Sequence, residues 1–439
     1  MLIVDTALRS RAAEGRPVQV AMFGAGYMAR GITTQIVRYT PGLRLAVICN
    51  RTVEKAIGCY TAVGVARDDI REVTSPAELD QAIRDGKYAV TNDPAVAAAA
   101  ALIEVTIEAT GHVGYGALAT TLSIQHRKPM VSMNAELDAT CGPILKEMAD
   151  EAGIILSGAD GDQPVVQLNL WRYVKSLGLK PLLCGNIKGL QDRYRTPETQ
   201  AAFAKQWGQT PEMVTSFADG TKISFEQAIT ANATGMTIAQ RGMIGHEFRG
   251  HVDQMVTMYD IDQLRSLGGI VDYVVGAAPS PGVYVFAEAQ DDIQKVYLNY
   301  GKLGEGPLYS FYTGWHLTAL EVHLSVARVA LLKDVPMEPI GAPRVEVIAM
   351  AKRPLKAGET IDGIGGFMTY GVCETAEIQM KDALLPMGLA EGCRLKRDIG
   401  KDEAISWSDV IAPANELPHQ LRAKQDARYF PSLAPAMAT

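Results

Sequence analysis

The chain has 439 residues, too many for one ordinary hydrophobic core; at roughly 100–200 residues per domain it predicts two to four units. Hydrophobic residues at 47% against charged residues at 21% exclude a mostly disordered chain, and 41 glycines with 22 prolines show no collagen-like period. A net charge of −7 supplies no global basic field to hold a phosphate backbone, so no nucleic-acid partner is expected.

The first stretch, residues 1–17, begins apolar but is interrupted by Asp5 and Arg9, so it lacks the apolar centre of a signal peptide. No run reaches about 18 uninterrupted apolar residues, and no membrane partner is expected. The six cysteines are scattered without a Cys-x-x-Cys pair. In a chain this long they read as reduced, buried thiols of a cytoplasmic protein.

Residues 18–23 form a short apolar run that predicts a buried strand. It leads into Gly24-Ala25-Gly26-Tyr27-Met28-Ala29 and a helical stretch to Val37, followed by a second apolar run over 43–49. Strand, glycine turn, helix and strand make a βαβ unit. Ser75 with Pro76 marks a capped helix start. Apolar runs over 102–109, 129–133 and 154–156 extend the alternation. The fold class is therefore α/β, a doubly wound, mostly parallel sheet of the Rossmann type, with its domain ending near residue 155. From 156 to 340 the rhythm is lost, and an α+β substrate domain is expected. It holds a helix over 165–177, a strand over 182–187, a polar excursion at 196–215, the run Gly268–Val275 and an amphipathic helix over 317–332. Short strands and glycine turns over 341–412 predict a small β module, with a loosely wrapped Pro- and Ala-rich tail from 413 to 439.

Gly24, Gly26 and Ala29 have the G-x-G-x-x-G/A spacing. The first glycine allows the tight turn and the second lets backbone amides, including those of Tyr27 and Met28, approach a pyrophosphate; Ala29 keeps helix and strand close. At the end of the second strand a carboxylate would hold a ribose 2′-hydroxyl, whereas an arginine suits a 2′-phosphate. The chain reads Asn50-Arg51-Thr52 there, so NADPH is expected over NADH.

Asp160 and Asp162 follow a strand with one glycine between them. They read either as ligands for substrate hydroxyls or a divalent cation such as Mg²⁺ or Mn²⁺, or as a polar turn; two carboxylates alone make no metal site. Lys188, flanked by Gly185 and Gly189 after a strand, is placed to project into a cleft. Lys222 and Glu226 stand four apart and share a helix face. Hydride transfer to a carbonyl needs a cation or acid at the developing alkoxide, which names Lys188 and Lys222 with Glu226 orienting. His112, His316 and His323 read as hydrogen-bonded structural histidines sooner than as zinc ligands. No Gly-x-Ser-x-Gly or phosphate-loop motif argues for a hydrolase or NTPase.

Three segments carry a resemblance. Glu108-Ala-Thr110-Gly111, Lys128-Pro-Met-Val-Ser-Met-Asn134 and Gly185-Asn-Ile-Lys188-Gly resemble homoserine dehydrogenases over roughly residues 15–240. The first two imply that Thr110, Gly111 and Asn134 line the cofactor. Ala351-Lys-Arg-Pro-Leu-Lys-Ala-Gly358 and Arg397-Asp-Ile-Gly400 resemble a SAF domain. The combined architecture is similar to the DXR-like (DRL) family, whose members with established activity convert 1-deoxyxylulose 5-phosphate to methylerythritol 4-phosphate with NADPH. One departure counts against homoserine oxidation: the lysine that follows the motif asparagine in that family is Ala135 here. The expected function is an NADPH-dependent oxidoreductase of a small polyhydroxylated carbonyl compound, sharpest as a 1-deoxyxylulose 5-phosphate reductoisomerase. The alternatives are a plain sugar, polyol or hydroxy-acid dehydrogenase and a cofactor-binding regulator without turnover. A homodimer is expected; the SAF-like module could lid the site, bind a sugar or build that dimer.

Overall fold

The computed structural model describes residues 2–433. Two compact units emerge: one of residues 1–137, 144–162 and 317–338, the other of 138–143, 163–316 and 339–439.

The first unit is built on seven strands: β1 Val18–Phe23, β2 Leu43–Cys49, β3 Ile70–Glu72, β4 Tyr88–Thr91, β5 Val105–Glu108, β6 Met130–Ser132 and β7 Leu156–Gly158. Their order is β3-β4-β2-β1-β5-β6-β7, and every pairing is parallel. This is the expected doubly wound sheet. Strand side chains alternate between two cores, because successive Cβ atoms point to opposite faces. Val18, Val20 and Met22 enter one cluster, Ala21 and Phe23 the other. Ser75 caps the helix Pro76–Arg84, accepting from Glu78 N, with Pro76 in its first turn.

Residues 317–332 differ from expectation. Instead of one amphipathic helix they form a short 3₁₀ turn (Thr318–Leu320), a helix (Val322–Ala327) and a π-turn (Arg328–Leu332). Val322, Val326 and Val329 are buried in the same cluster as Val18 and Ile32. Gly31 admits Ala319, since a Cβ on Gly31 would stand 2.6 Å from the alanine Cβ. The span 156–340 is therefore not one domain: burial of this valine stripe returns 317–338 to the first unit.

The second unit holds β8 Lys180–Lys188, β9 His246–Glu247, β10 Ile270–Val275, β11 Gly282–Glu288 and β12 Leu308–Thr313 in a mixed sheet of order β12-β11-β8-β10-β9. β8, β9 and β10 are mutually parallel, whereas β11 runs antiparallel to both neighbours. Two helices, Gln163–Ser176 and Thr221–Thr234, pack on β8 and on each other. The polar excursion at 196–215 contains two capped helices, Pro197–Trp207 and Pro211–Ala218. The same unit contains the small β module, with antiparallel pairs β13 Val345–Ala351 and β14 Thr369–Thr375, then β15 Arg394–Leu395 and β16 Val410–Ile411.

The tail is not loose. Helix Leu417–Tyr429 buries Leu421, Arg422, Gln425 and Asp426. Arg422 donates to Glu346 at 2.8 Å, Asp426 at 2.7 Å and Gln379 at 2.8 Å. A guanidinium with its donors matched in a buried fork fixes the helix, since leaving it would strand charge. Residues 434–439 of the predicted tail lie outside the described residues. The six cysteines are free and buried, and no described helix is long and apolar enough to cross a membrane.

Candidate functional site

The glycine turn sits at the carboxyl end of β1, beside the point where strand order reverses between β1 and β5 and where open parallel sheets take ligands. Gly24 has φ +108, and a Cβ there would lie 2.8 Å from Ala109 O, so only glycine fits. A Cβ on Gly26 would meet nothing within 4 Å: the turn leaves open space at its second glycine. Gly26 is also the N-cap of helix Tyr27–Tyr39, with no side chain capping it and no acidic residue in its first turn. Uncapped amides facing open space at a helix N-terminus suit a pyrophosphate, so these residues fit a dinucleotide. Ala29 is fully buried, as close helix packing requires, while Tyr27 is exposed with Arg30 over its ring.

At the end of β2, Asn50 Nδ2 donates to Thr52 O at 2.8 Å, and Arg51 and Thr52 are exposed. Thr110 lies against the turn, its methyl 3.3 Å from a Cβ on Gly24. Thr110 is itself held by Glu108: its amide donates at 2.9 Å, and its hydroxyl makes a short bond to the same carboxylate oxygen. Glu108 is fully buried, and burial pushes its carboxyl up to about 7 against the pull of Thr110. Gly111 takes φ +66. Asn134 is buried, accepting from Leu137 N at 3.0 Å as N-cap of helix Ala135–Ala152 and donating to His112 O at 3.3 Å. Its placement holds the 110–112 loop. His112 caps the next helix, its Nδ1 accepting from Tyr115 N at 3.3 Å.

Asp160 is buried in a network of its own. Its amide donates to Ser325 Oγ at 2.6 Å, that hydroxyl donates back to Oδ2 at 2.7 Å, and Arg328 Nη1 reaches both oxygens at 3.0 and 3.1 Å. Arg328 continues to Asp334 at 2.7 Å. A carboxylate with an arginine nitrogen astride both its oxygens is charge-compensated, which suits it to fixing the 317–338 segment sooner than to ligating a hard cation. Asp162 is half-buried, with its amide on Ala159 O. Among the described residues no group of three or more His, Cys, Asp or Glu is disposed to hold a metal ion.

In the second unit, Lys188 closes β8 and Glu226 lies on helix Thr221–Thr234. Lys188 Nζ stands 3.4 Å from Glu226 Oε2 and 3.1 Å from Gln163 Oε1. Asn186 Nδ2 reaches the same two oxygens, Glu226 at 3.3 Å and Gln163 in a shorter contact. Two donors from one strand thus share two acceptors, one from each of two helices, in a closed ring. Asn186 and Lys188 meet there because residues two apart on a strand face the same way. The pair is largely withdrawn from water, at 15% side-chain exposure for Lys188 and 6% for Glu226. Two of the three ammonium donors are directed, and among the described residues nothing else accepts the third, which remains for an oxygen brought to it. Lys222 is buried on the Glu226 helix. Gln163 and Asn186 went unnoticed in the sequence; the one available signal was amide side chains bracketing residues already singled out.

Residues 161–322 match the family model described as Oxidoreductase DRL, catalytic domain, and residues 346–411 match the SAF domain. Residues 161–322 thus carry a DRL oxidoreductase catalytic domain, followed by a SAF domain. The DRL domain contains Lys188, Lys222, Glu226 and Gln163, and the SAF domain covers β13 to β16. No curated protein matches the chain. Among solved structures, a homoserine dehydrogenase from Thiobacillus denitrificans is 12% identical with a TM-score of 0.44, over 89% of this chain and 98% of that one. An oxidoreductase from Klebsiella pneumoniae is 16% identical at TM-score 0.25 over 40% of this chain, and DOX-P reductoisomerase with fosmidomycin and magnesium is 15% identical at 0.35 over 48%. The chain spans 44% and 56% of those two proteins. Likeness at this level assigns no residue and no substrate.

Proposed function

We propose that this DRL oxidoreductase uses NADPH to reduce, or NADP to oxidise, a small polyhydroxylated carbonyl or alcohol compound. The observation that carries the reading is the Lys188 ammonium, fixed by Glu226 and Gln163, with one N–H that no other described residue accepts. The nicotinamide, when bound, supplies or accepts the hydride. Gly24, Gly26 and the amides of Tyr27 and Met28 hold its pyrophosphate, and Arg51 with Thr52 takes the 2′-phosphate. Thr110 and Gly111, fixed by Glu108 and Asn134, border the turn. Lys188 donates to the substrate oxygen as charge builds there, and its burial strengthens that interaction over the same contact in water. Glu226 and Gln163 keep the ammonium aimed, so little reorganisation is needed at reaction. Lys222, on the same helix, and Asp162 are assigned to binding substrate.

Resemblance makes 1-deoxyxylulose 5-phosphate the sharpest named substrate, with a ketol rearrangement preceding hydride delivery to the aldehyde. A plain dehydrogenase is the second reading. It is favoured by the engagement of Asp160 with Arg328, because direct reduction at Lys188 does not require a cation to align two substrate oxygens. A homodimeric state belongs to the same proposal.

NADPH oxidation against 1-deoxyxylulose 5-phosphate, with Mg²⁺ or Mn²⁺ and then with chelator, tests the reading beside a panel of sugars, polyols and hydroxy acids. Metal-dependent turnover of the phosphosugar supports the reductoisomerase. Activity only on another carbonyl or alcohol supports the dehydrogenase. Cofactor binding without turnover of any panel member counts against both.

A further inference from the structure

Helix Thr221–Thr234 is unusual in having almost every side chain buried, polar ones included. A helix can bury all sides only when every face is covered. One side is covered by the sheet and by helix Gln163–Ser176, and another by β13 and β14 of the SAF module. At its start, Lys352 of that module donates to Asp219 Oδ2 at 2.9 Å, Arg195 O at 2.8 Å and Gly366 O at 2.8 Å, satisfying all three ammonium donors. Asp219 in turn accepts from Thr221 N at 2.9 Å, fixing the first turn. One step along, Gly371 N donates to Thr221 Oγ1 at 2.9 Å and Ser224 Oγ donates to Gly371 O at 3.1 Å. Gly371 permits this approach, since a Cβ there would stand 2.8 Å from Val347 and 3.1 Å from Thr221. At the far end, Asn232 Oδ1 accepts from Arg344 N at 2.7 Å and Val345 N at 3.1 Å, and its Nδ2 donates to Val345 O at 3.1 Å.

Thr221, Ser224 and Asn232 fall on one stripe of the helix. Glu226, two residues beyond Ser224, points roughly 200° away at 3.6 residues per turn and meets Lys188 and Asn186. The SAF module therefore grips the back of the helix whose front carries Glu226. We propose that the SAF module serves as a brace that sets the position of Glu226 against Lys188, and that Lys352, Thr221 and Ser224 are positioning residues acting through this helix. Neither a lid nor a sugar-binding role is needed to account for these contacts. The inference rests on the reading that Lys188 and Glu226 serve the reaction.

The test uses the full chain and whichever carbonyl substrate the panel identifies. Lys352→Met strands a buried carboxylate and is expected to lower stability outright, so the hydroxyl variants carry the argument. In Thr221→Val/Ser224→Ala, kcat is expected to fall about tenfold, with KM and the cofactor Kd within about twofold of wild type and near-ultraviolet circular dichroism unchanged. The Lys356→Ala control removes an exposed ion pair on the same module and leaves kcat unaltered. In a Glu226→Gln background the hydroxyl variants are expected to have no further effect, because their influence passes through the missing carboxylate. Unchanged kcat in the folded double variant, or the same tenfold loss on top of Glu226→Gln, overturns the brace. Wild-type kcat in Lys188→Met would instead remove the reading beneath it, and the two failures are distinct.

Discussion

Gln163 Oε1 lies 3.1 Å from Lys188 Nζ although 25 residues separate them, which makes a neutral carboxamide the second acceptor of an ammonium whose first acceptor is Glu226. The site thus holds one cation and one anion, where a second carboxylate at 163 would hold two anions. Replacing Gln163 with methionine keeps the volume and removes the acceptor. In steady-state assays Gln163→Met is expected to lower kcat by roughly tenfold, and Lys188→Met by roughly a hundredfold or more, with cofactor affinity unaltered. Equal activity of Lys188→Met and wild type would sink the assignment.

The two glycines of the turn separate folding from binding. A methyl at Gly26 meets no atom, so Gly26→Ala is expected to melt with the wild type while its cofactor Kd rises about tenfold or more. Gly24→Ala forces a methyl against Ala109 O at φ +108 and is expected to lose about 2 kcal/mol of stability or more. Thermal unfolding alongside cofactor titration by fluorescence checks both.

Arg51 tests the proposed preference for NADPH. Arg51→Ala is expected to reduce the NADPH-over-NADH preference in kcat/KM by about tenfold or more, mainly through NADPH, as loss of a phosphate-binding fork requires. A ratio unchanged in the variant would mean that Arg51 is only solvated.

Burial raises the Glu108 carboxyl from 4.5 to about 7, so the folded state favours its protonated form. The associated stability is full below about pH 4.5 and is lost as pH rises towards 7, where the unfolded chain has already released its proton. Glu108→Gln, which mimics the protonated acid, is expected to lose less stability than wild type between pH 5 and 8, by roughly 3 kcal/mol at most. Denaturant midpoints at the two pH values measure the difference.

Arg422 fastens the last helix. Arg422→Met leaves Glu346 and Asp426 facing each other in a buried setting and is expected to cost about 3–5 kcal/mol, read from urea unfolding. Adding Glu346→Gln is expected to restore part of that loss, since it removes one stranded charge.

The elements legible in the sequence are those whose cause is local. β1, the turn at Gly24 and Gly26, and β2 follow from a short apolar run, a backbone that needs positive φ, and a helix start, all within about thirty residues. The capped helix at Ser75 and Pro76 follows from side-chain chemistry three residues apart. The apolar stripe at 317–332 was legible too, but its owner was not: a stripe states that something will be covered, and only packing decides by what.

The sequence by itself determined a Rossmann-type unit with a nucleotide turn, a SAF-like module, and Lys188 and Glu226 as residues worth attention. Tertiary structure alone decided that these two meet, with Gln163 and Asn186 closing the ring, and that Asp160 belongs to Arg328. It also decided that Thr221–Thr234, where Thr, Lys, Ser, Glu, Gln and Asn are interspersed with Ile, Phe and Ala, is a helix buried on all sides. The physical reason is common to all three. A polar side chain can be buried only where a partner reaches it, and those partners stand 23 to 168 residues away, at separations where neither helical nor strand periodicity leaves a trace.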